Sequence, residues 1–106
     1  MELKEIRKYE PKSNIDIKKV PDAFEGVLVA ESLDTDNNGK VCLYWDISID
    51  GERFRQKYTP AHIKTLADRL EMLKVTNTNT LLNKKMGFEK LETVGFPRWY
   101  PVVILE

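Results

Sequence analysis

Hydrophobic and polar residues alternate along two neighbouring stretches in the middle of the chain. In VCLYWDISI, Val41–Ile49, every second side chain is large and apolar, and ERFRQKY, Glu52–Tyr58, continues the alternation. A period of two is typical of a β-strand with one buried face. Only Asp50-Gly51 separates the two stretches, and this dipeptide favours a two-residue hairpin turn. We therefore predict that the two stretches form an antiparallel hairpin.

Before the hairpin, the pattern predicts a polar arm followed by a further strand. Residues 1–22 are mostly charged; a short helix at residues 3–9 or a strand at residues 15–20 is predicted within them. The run FEGVLVAESL, residues 24–33, is rich in apolar side chains and predicts the first strand. Gly26 lies inside this strand, where glycine permits a bend or a bulge.

After the hairpin, the spacing of apolar residues changes to that of a helix. Thr59-Pro60 predicts the helix start, because a hydroxyl N-cap followed by proline suits the first helical turn. One apolar stripe then follows at helical spacing: Ile63, Leu66, Ala67, Leu70 and Leu73. The polar run at residues 76–80 ends the helix, and two last strands are predicted at Lys85–Leu91 and at residues 100–105.

The order of these elements is strand, strand, strand, helix, strand, strand. It is the order of the OB-fold, a five-stranded, partly open Greek-key barrel, with the helix between strands three and four. We therefore expect a mainly β protein in which residues 1–22 form a polar arm and residues 23–106 an OB-fold domain. A generic small α+β sheet is the alternative.

The composition is that of one folded domain, with 106 residues of which 42% are hydrophobic and 32% charged. No apolar run approaches the roughly 20 residues that cross a bilayer, and the N-terminus lacks the apolar stretch of a secretory signal. A single cysteine, Cys42, cannot form an internal disulfide. We therefore expect no membrane partner and a reducing, cytoplasmic compartment.

Charges balance in number but not in position. Lys and Arg number 17, as do Asp and Glu, so the formal net charge is zero, which argues against a charge-driven binder of duplex DNA. Residues 22–36 contain five acids and no base, whereas residues 53–57 contain three bases and no acid. A neutral total therefore leaves room for a local cationic face.

The tight turn at Asp50-Gly51 also predicts which hairpin residues share a face. Three facing pairs point to the core: Leu43 with Tyr58, Trp45 with Gln56, and Ile47 with Phe54. The opposite face presents Tyr44, Arg53, Arg55 and Lys57, with Asp46 opposite Arg55. Single strands of nucleic acid need cations for phosphates and flat rings for bases, and arginine serves both. A solvated face that alternates charges is the other interpretation.

The run GFPRWYP, residues 95–101, adds cationic and aromatic side chains near the loop between the last two strands. Arg98 is expected on the surface, whereas alternation does not decide whether Trp99 or Tyr100 faces inward. Lys84 and Lys85 would extend the cationic track at the start of the fourth strand, and Arg98 with Lys40 would supply loop contacts, with Trp99 a further candidate for the binding surface.

The runs DGERFRQKYTPAHIKTLADRLEML, LLNKKMGFEK and GFPRWYPV resemble small OB-fold single-strand-binding proteins of archaea, their viruses and phages. The resemblance covers residues 24–106 and depends on the element order and the basic, aromatic hairpin. It implies binding of single-stranded DNA or RNA through the hairpin and two flanking loops. The alternative is an OB-like protein-interaction module or small structural subunit, with the arm and the acidic residues 22–36 binding a second copy or another protein.

The stretch DTDNNGK, residues 34–40, has the acids and glycine of a calcium loop, but position twelve is Trp45 instead of a bidentate carboxylate. We therefore predict a turn. His62 is the only histidine and is expected at the surface or rim, without a second ligand at metal spacing. Cys42 is expected on the outer face as an inert thiol. We expect no catalytic residue, metal or cofactor, and therefore a non-enzymatic protein.

Overall fold

The computed structural model describes residues 15–91 and 97–105. Within this part of the chain the strands are β1 (Ala23–Thr35), β2 (Val41–Ile49), β3 (Glu52–Tyr58), β4 (Lys85–Leu91) and β5 (Arg98–Ile104). The helix α1 (Pro60–Met72) connects β3 to β4, and 3-10 turns lie at Ile17–Lys19 and Thr78–Leu81. None of the helices described is long and apolar enough to cross a membrane. The helix predicted at residues 3–9 lies outside the described residues.

The five strands form one sheet in the order β3-β2-β1-β4-β5, and each neighbouring pair is antiparallel. The prediction of a mainly β chain with a helix between the third and fourth strands is confirmed. In the described residues no backbone ladder joins β3 to β5, so the sheet is not closed.

Side chains nevertheless join the two edge strands. Gln56 Oε1 accepts the backbone N–H of Trp99 at 3.0 Å, and the Tyr58 hydroxyl donates to the Trp99 carbonyl at 2.6 Å. The Nε of Arg98 donates to the Lys57 carbonyl at 2.5 Å. We call this junction of residues 56–58 with residues 98–99 the β3–β5 seam.

The predicted hairpin register is confirmed. Asp50 and Gly51 have φ values of 49° and 84°, and two left-handed residues in succession are typical of a type I′ turn. Trp45 consequently faces Gln56, and Tyr44 faces Lys57. Side chains of one parity point to the core face of the sheet, and those of the other parity form its outer face.

The core lies between the core face of the sheet and α1. Trp45, Ile47, Phe54 and Tyr58 of the hairpin are buried, as predicted, whereas Leu43 is half-buried. The helical stripe differs from the prediction: the buried residues of α1 are His62, Leu66 and Leu70, and Ala67 is exposed. These three residues are four positions apart, and side chains at i and i+4 share a helix face, so they form one buried row.

Gly26, where the sequence permits a bend or a bulge, allows close packing in β1. A Cβ at this position would lie 2.6 Å from Ile47 Cγ2, closer than packed atoms approach. The register of β1 with β2 shifts instead between Leu28 and Ala30. Beyond that shift β1 continues to Thr35, two residues past the predicted end.

The segment before β1 packs on the domain. Ile15 N–H donates to the Arg53 carbonyl at 3.1 Å, and Val20 is buried in the core. The strand predicted at residues 15–20 is wrong, because this segment forms the 3-10 turn Ile17–Lys19 with Asp16 as its N-cap. The same segment reaches β5, because Trp99 Nε1 donates to the Pro21 carbonyl at 2.9 Å.

Candidate nucleic-acid interface

The outer face of the hairpin brings together four of the predicted site residues. Arg53, Arg55 and Lys57 follow one another at every second position of β3, so about 7 Å separates successive residues. Tyr44 lies across from Lys57 on β2. The side chains of Arg53, Arg55 and Lys57 are 36%, 48% and 39% exposed, so the three cations reach solvent.

The guanidinium of Arg55 lies over the ring of Tyr44, with its central carbon 4.6 Å from the ring centroid. A cation within about 6 Å of an aromatic face is attracted by the ring quadrupole. Tyr44 is half-buried and Arg55 exposed. The pair therefore presents a flat cationic group that is supported from below by a ring.

Asp46 lies between Arg53 and Arg55 but does not occupy their hydrogen-bond donors. Its carboxylate is 3.9 Å from Arg53 Nη1 and 3.8 Å from Arg55 Nε, both longer than a hydrogen bond. Asp46 Oδ1 is buried and has no hydrogen-bond partner among the described residues. Asp46 therefore attracts both guanidinium groups while leaving their N–H donors available.

Asp36 shapes the turn between β1 and β2 and also contacts Lys57. Its Oδ1 accepts the backbone N–H groups of Asn38 and Lys40, each at 2.9 Å, and its Oδ2 lies 3.4 Å from Lys57 Nζ. The Lys40 N–H is the main cause that lowers the pKa of Asp36, although partial desolvation opposes it. The predicted turn is confirmed. In the described residues there is no group of three or more metal-ligating side chains.

Lys85 extends the outer face across the sheet to β4. Arg53 faces Ser48, Ser48 faces Val27, and Val27 faces Lys85, so one row of residues crosses four strands. With strands about 4.8 Å apart, the row spans about 14 Å. Lys85 Nζ also lies 3.3 Å from a carboxylate oxygen of Glu25. The other two predicted lysines, Lys40 and Lys84, are exposed at strand ends.

Arg98 and Trp99 do not lie on the outer face. Arg98 is 8% exposed and Trp99 1%, because both belong to β5, which begins two residues earlier than predicted, and to the β3–β5 seam. The surface position predicted for Arg98 is wrong. Tyr100 is buried as well, so both rings are buried and neither lies on the surface. Contacts on both sides of β5 produce this result.

Cys42 faces the outer side of β2 but is fully buried there. Its Sγ lies 3.7 Å from Asp36 Oδ2 and 3.6 Å from the Lys40 carbonyl, so the turn covers it. Desolvation raises the pKa of the Cys42 thiol, and the Asp36 charge raises it further. The thiol is therefore protonated at neutral pH, as an unreactive cysteine is.

His62 is buried, so its predicted position at the surface is wrong. The Thr59 hydroxyl forms a hydrogen bond with His62 Nδ1, and for this reason it makes no cap bond to the helix backbone. Desolvation lowers the pKa of His62, and the nearby Arg98 charge lowers it further. A neutral, hydrogen-bonded imidazole packed at the helix start is a structural group.

Two polar residues, the buried Gln56 and the half-buried Glu31, were not recognised from the sequence as anchors. Gln56 was predicted to face the core and proves to bond the backbone of Trp99. Glu31 accepts Trp45 Nε1 and Thr78 Oγ1, each at 2.7 Å. The available signal was a polar side chain at a core-facing position of a strand, since such a group must find a partner.

Comparison of the chain with protein-family models, with curated proteins and with solved structures found no match in any of the three. The chemistry of the outer face is therefore inferred from its own side chains alone. Arg55 supported by Tyr44, with Arg53 and Lys57 on either side, offers cations and a π-surface in one place.

Proposed function

We propose that the protein binds single-stranded DNA or RNA through the outer face of the β2–β3 hairpin, on a partly open OB-fold barrel. One observation carries the proposal: the exposed guanidinium of Arg55 stacks on Tyr44 between two further cations of the same strand. Cationic strands interleaved with aromatic rings are what single-stranded nucleic acid requires, because phosphates need charge and unpaired bases need a stacking surface.

The strand order supports the OB-fold. In the order β3-β2-β1-β4-β5, the two edge strands must approach each other if the sheet is to curl into a barrel. Gln56, Tyr58 and Arg98 hold β3 and β5 together by three hydrogen bonds, although no ladder forms in the described residues. The helix between the third and fourth strands packs on the core face, which leaves the outer face of the hairpin open.

The balance of charges favours moderate affinity. Asp46, Asp36 and Glu25 lie near the cations of the outer face. The cations of these pairs are more than one third exposed, and ion pairs that solvent screens in this way contribute about 0–1 kcal/mol, so a phosphate competes with them. Since the distances to Asp46 exceed hydrogen-bond length, Arg53 and Arg55 gain new bonds when they bind a phosphate.

Two features favour single strands over a duplex. Stacking on the plate formed by Tyr44 and Arg55 requires a base whose faces are free, which paired and stacked bases are not. A net charge of zero also gives little long-range attraction to the dense charge of a double helix.

The test is the double variant Arg53→Ala, Arg55→Ala, titrated with fluorescently labelled oligo-dT and followed by anisotropy at several salt concentrations. Single-strand binding loses about 0.7 log units of affinity per phosphate contact for each log unit of salt. The double variant should therefore bind more weakly, with a salt slope less steep by about 1.4. The matched control is Lys64→Ala, Arg69→Ala, which removes the same charge from α1.

Two results would contradict the proposal in different ways. If the double variant binds as the wild type does, the outer face is not the site. If the wild type shows no salt-dependent binding to oligo-dT, oligo-rU or short mixed sequences, the function itself is refuted. Tryptophan quenching is a poor substitute for anisotropy, because Trp45 and Trp99 are both buried.

A further inference from the structure

Strand β1 continues well beyond the strand that flanks it. The last residue pair of β1 with β4 is Val27 with Lys85, whereas β1 pairs with β2 as far as Thr35. Residues 31–35 of β1 therefore have β2 on one side and no strand on the other, within the described part of the chain. We call this side of residues 31–35 the β1 edge.

The hydrogen-bond alternation decides which backbone groups point out of the β1 edge. Asp36 N–H donates to the Lys40 carbonyl at 2.8 Å, so residue 36 faces β2, as do residues 34 and 32. The backbone groups of Glu31, Leu33 and Thr35 then point away from β2. Among these, the Thr35 N–H bonds the side chain of Asp34, and no bond joins the outward groups of Leu33 to another described residue.

Side chains on the two faces of the β1 edge differ in character. On the core-face side Leu33 is 69% exposed and Val41, on the neighbouring strand, is 54% exposed. On the outer side Asp34 is exposed and has no ion pair with any described residue. An unpaired strand edge flanked by two exposed apolar residues and a free carboxylate is a template for another strand.

The edge strands β3 and β5 are each partly occupied. On β3, the Arg53 carbonyl accepts Ile15 N–H and the Lys57 carbonyl accepts Arg98 Nε. On β5, the backbone of Trp99 bonds Gln56 and Tyr58, and Pro101 has no N–H to donate. The contrast indicates that the β1 edge is open while its counterparts are partly protected.

We propose that the β1 edge binds an extended protein segment that alternates apolar and basic side chains and pairs as an additional strand. Strand addition of this kind takes its affinity from backbone hydrogen bonds and its specificity from alternate side chains. Apolar residues of the partner would cover Leu33 and Val41, and basic residues would neutralise Asp34. The proposal is independent of nucleic-acid binding, which uses the outer face of the hairpin.

Charge favours a basic strand over the other two possible occupants, a nucleic-acid backbone and a second copy of this chain. Glu31, Asp34 and Asp36 make residues 31–36 acidic, so a phosphate backbone would be repelled. A second copy pairing through the same edge would bring these acids of both chains together, and like charges across neighbouring strands are destabilising. A basic strand gains from the same charges.

The experiment uses a fluorescein-labelled peptide of alternating lysine and valine, titrated with the full-length chain and followed by anisotropy. Two control peptides separate the contributions: one has glutamate in place of lysine, and the other has every backbone amide N-methylated. Each backbone hydrogen bond lost weakens binding by about two- to tenfold. We expect both control peptides to bind at least about tenfold more weakly, since several such bonds or charges are lost.

Two protein variants locate the site. Leu33→Pro removes the outward N–H without breaking the ladder to β2, and it should abolish most of the peptide binding. Asn37→Pro places a proline in the turn after the β1 edge, at a residue whose N–H has no hydrogen-bond partner among the described residues, and should retain most of it. Neither variant touches the proposed oligonucleotide site, so both should bind oligo-dT as the wild type does.

Several results would overturn the proposal. Equal binding of the glutamate peptide removes the charge argument, and undiminished binding of the N-methylated peptide removes strand pairing; both comparisons use the wild-type chain. Self-association in ultracentrifugation that Leu33→Pro abolishes would assign the edge to a second copy. Displacement of the peptide by oligo-dT would assign it to nucleic acid.

Discussion

The β3–β5 seam makes a sharp prediction about stability. In Gln56→Met the side chain keeps its approximate volume, but the buried N–H of Trp99 loses the acceptor that lies 3.0 Å away. A buried donor left without a partner costs about 1–3 kcal/mol. Loss of the Gln56 Nε2 bond to the Lys57 carbonyl adds little, since Arg98 still donates to that oxygen. We therefore expect a loss of about 2 kcal/mol, or about 10 °C in Tm for a domain of this size.

The assay is urea unfolding followed by tryptophan fluorescence, which reports on the buried Trp45 and Trp99. Hydrogen exchange of the Trp99 amide gives a local readout: it should be protected in the wild type and should exchange faster in Gln56→Met. The matched control is Glu89→Met, at an exposed position of β4, which should change stability by less than about 0.5 kcal/mol. Wild-type stability together with a protected Trp99 amide in Gln56→Met would refute the seam.

Three further predictions concern single residues. Tyr44→Leu should weaken oligo-dT binding by about 1–3 kcal/mol while Tyr44→Phe preserves it, since stacking needs the ring and not the hydroxyl; equal loss in both would contradict stacking. Gly26→Ala should cost about 1–3 kcal/mol in urea unfolding, because the new Cβ would lie 2.6 Å from Ile47 Cγ2; a neutral result would show that Ile47 moves freely. Burial lowers the pKa of His62 in the folded state, so below about pH 6.5 the unfolded state binds more protons and the free energy of unfolding falls. His62→Gln should flatten this dependence in urea midpoints measured between about pH 7 and pH 5, and an unchanged slope would exclude His62 as its source.

The sequence was sufficient where local rules determine the structure. Asp50-Gly51 fixes a type I′ turn, and through it the faces of Tyr44, Arg53 and Lys57, because turn geometry and strand period leave no freedom in the register. The bounds of β2 and β3 follow from the same alternation. Three cations and the tyrosine of the candidate site were therefore placed on one face from pattern alone.

Long-range contacts account for what the sequence could not supply. The sequence predicts Arg98 as a surface cation, but its burial depends on the approach of Lys57 in β3, which is 41 residues away in the chain. Cys42 lies at an outward position that only the folded turn at Asp36 covers. His62 is buried because α1 docks with that side inward. In each case a partner distant in sequence decides exposure, and periodicity contains no information about it.

The two oxygens of Asp36 have separate tasks, and this separation has a consequence for how ligands would influence one another. Oδ1 is held by backbone donors of its own turn, whereas Oδ2 alone meets Lys57. A phosphate that draws Lys57 away leaves the turn with both of its backbone bonds. The turn, and with it the β1 edge, would therefore stay folded when the outer face is occupied. The same phosphate would leave the charge of Asp36 without its lysine, so a basic strand should bind somewhat more tightly to the nucleic-acid complex than to the free protein.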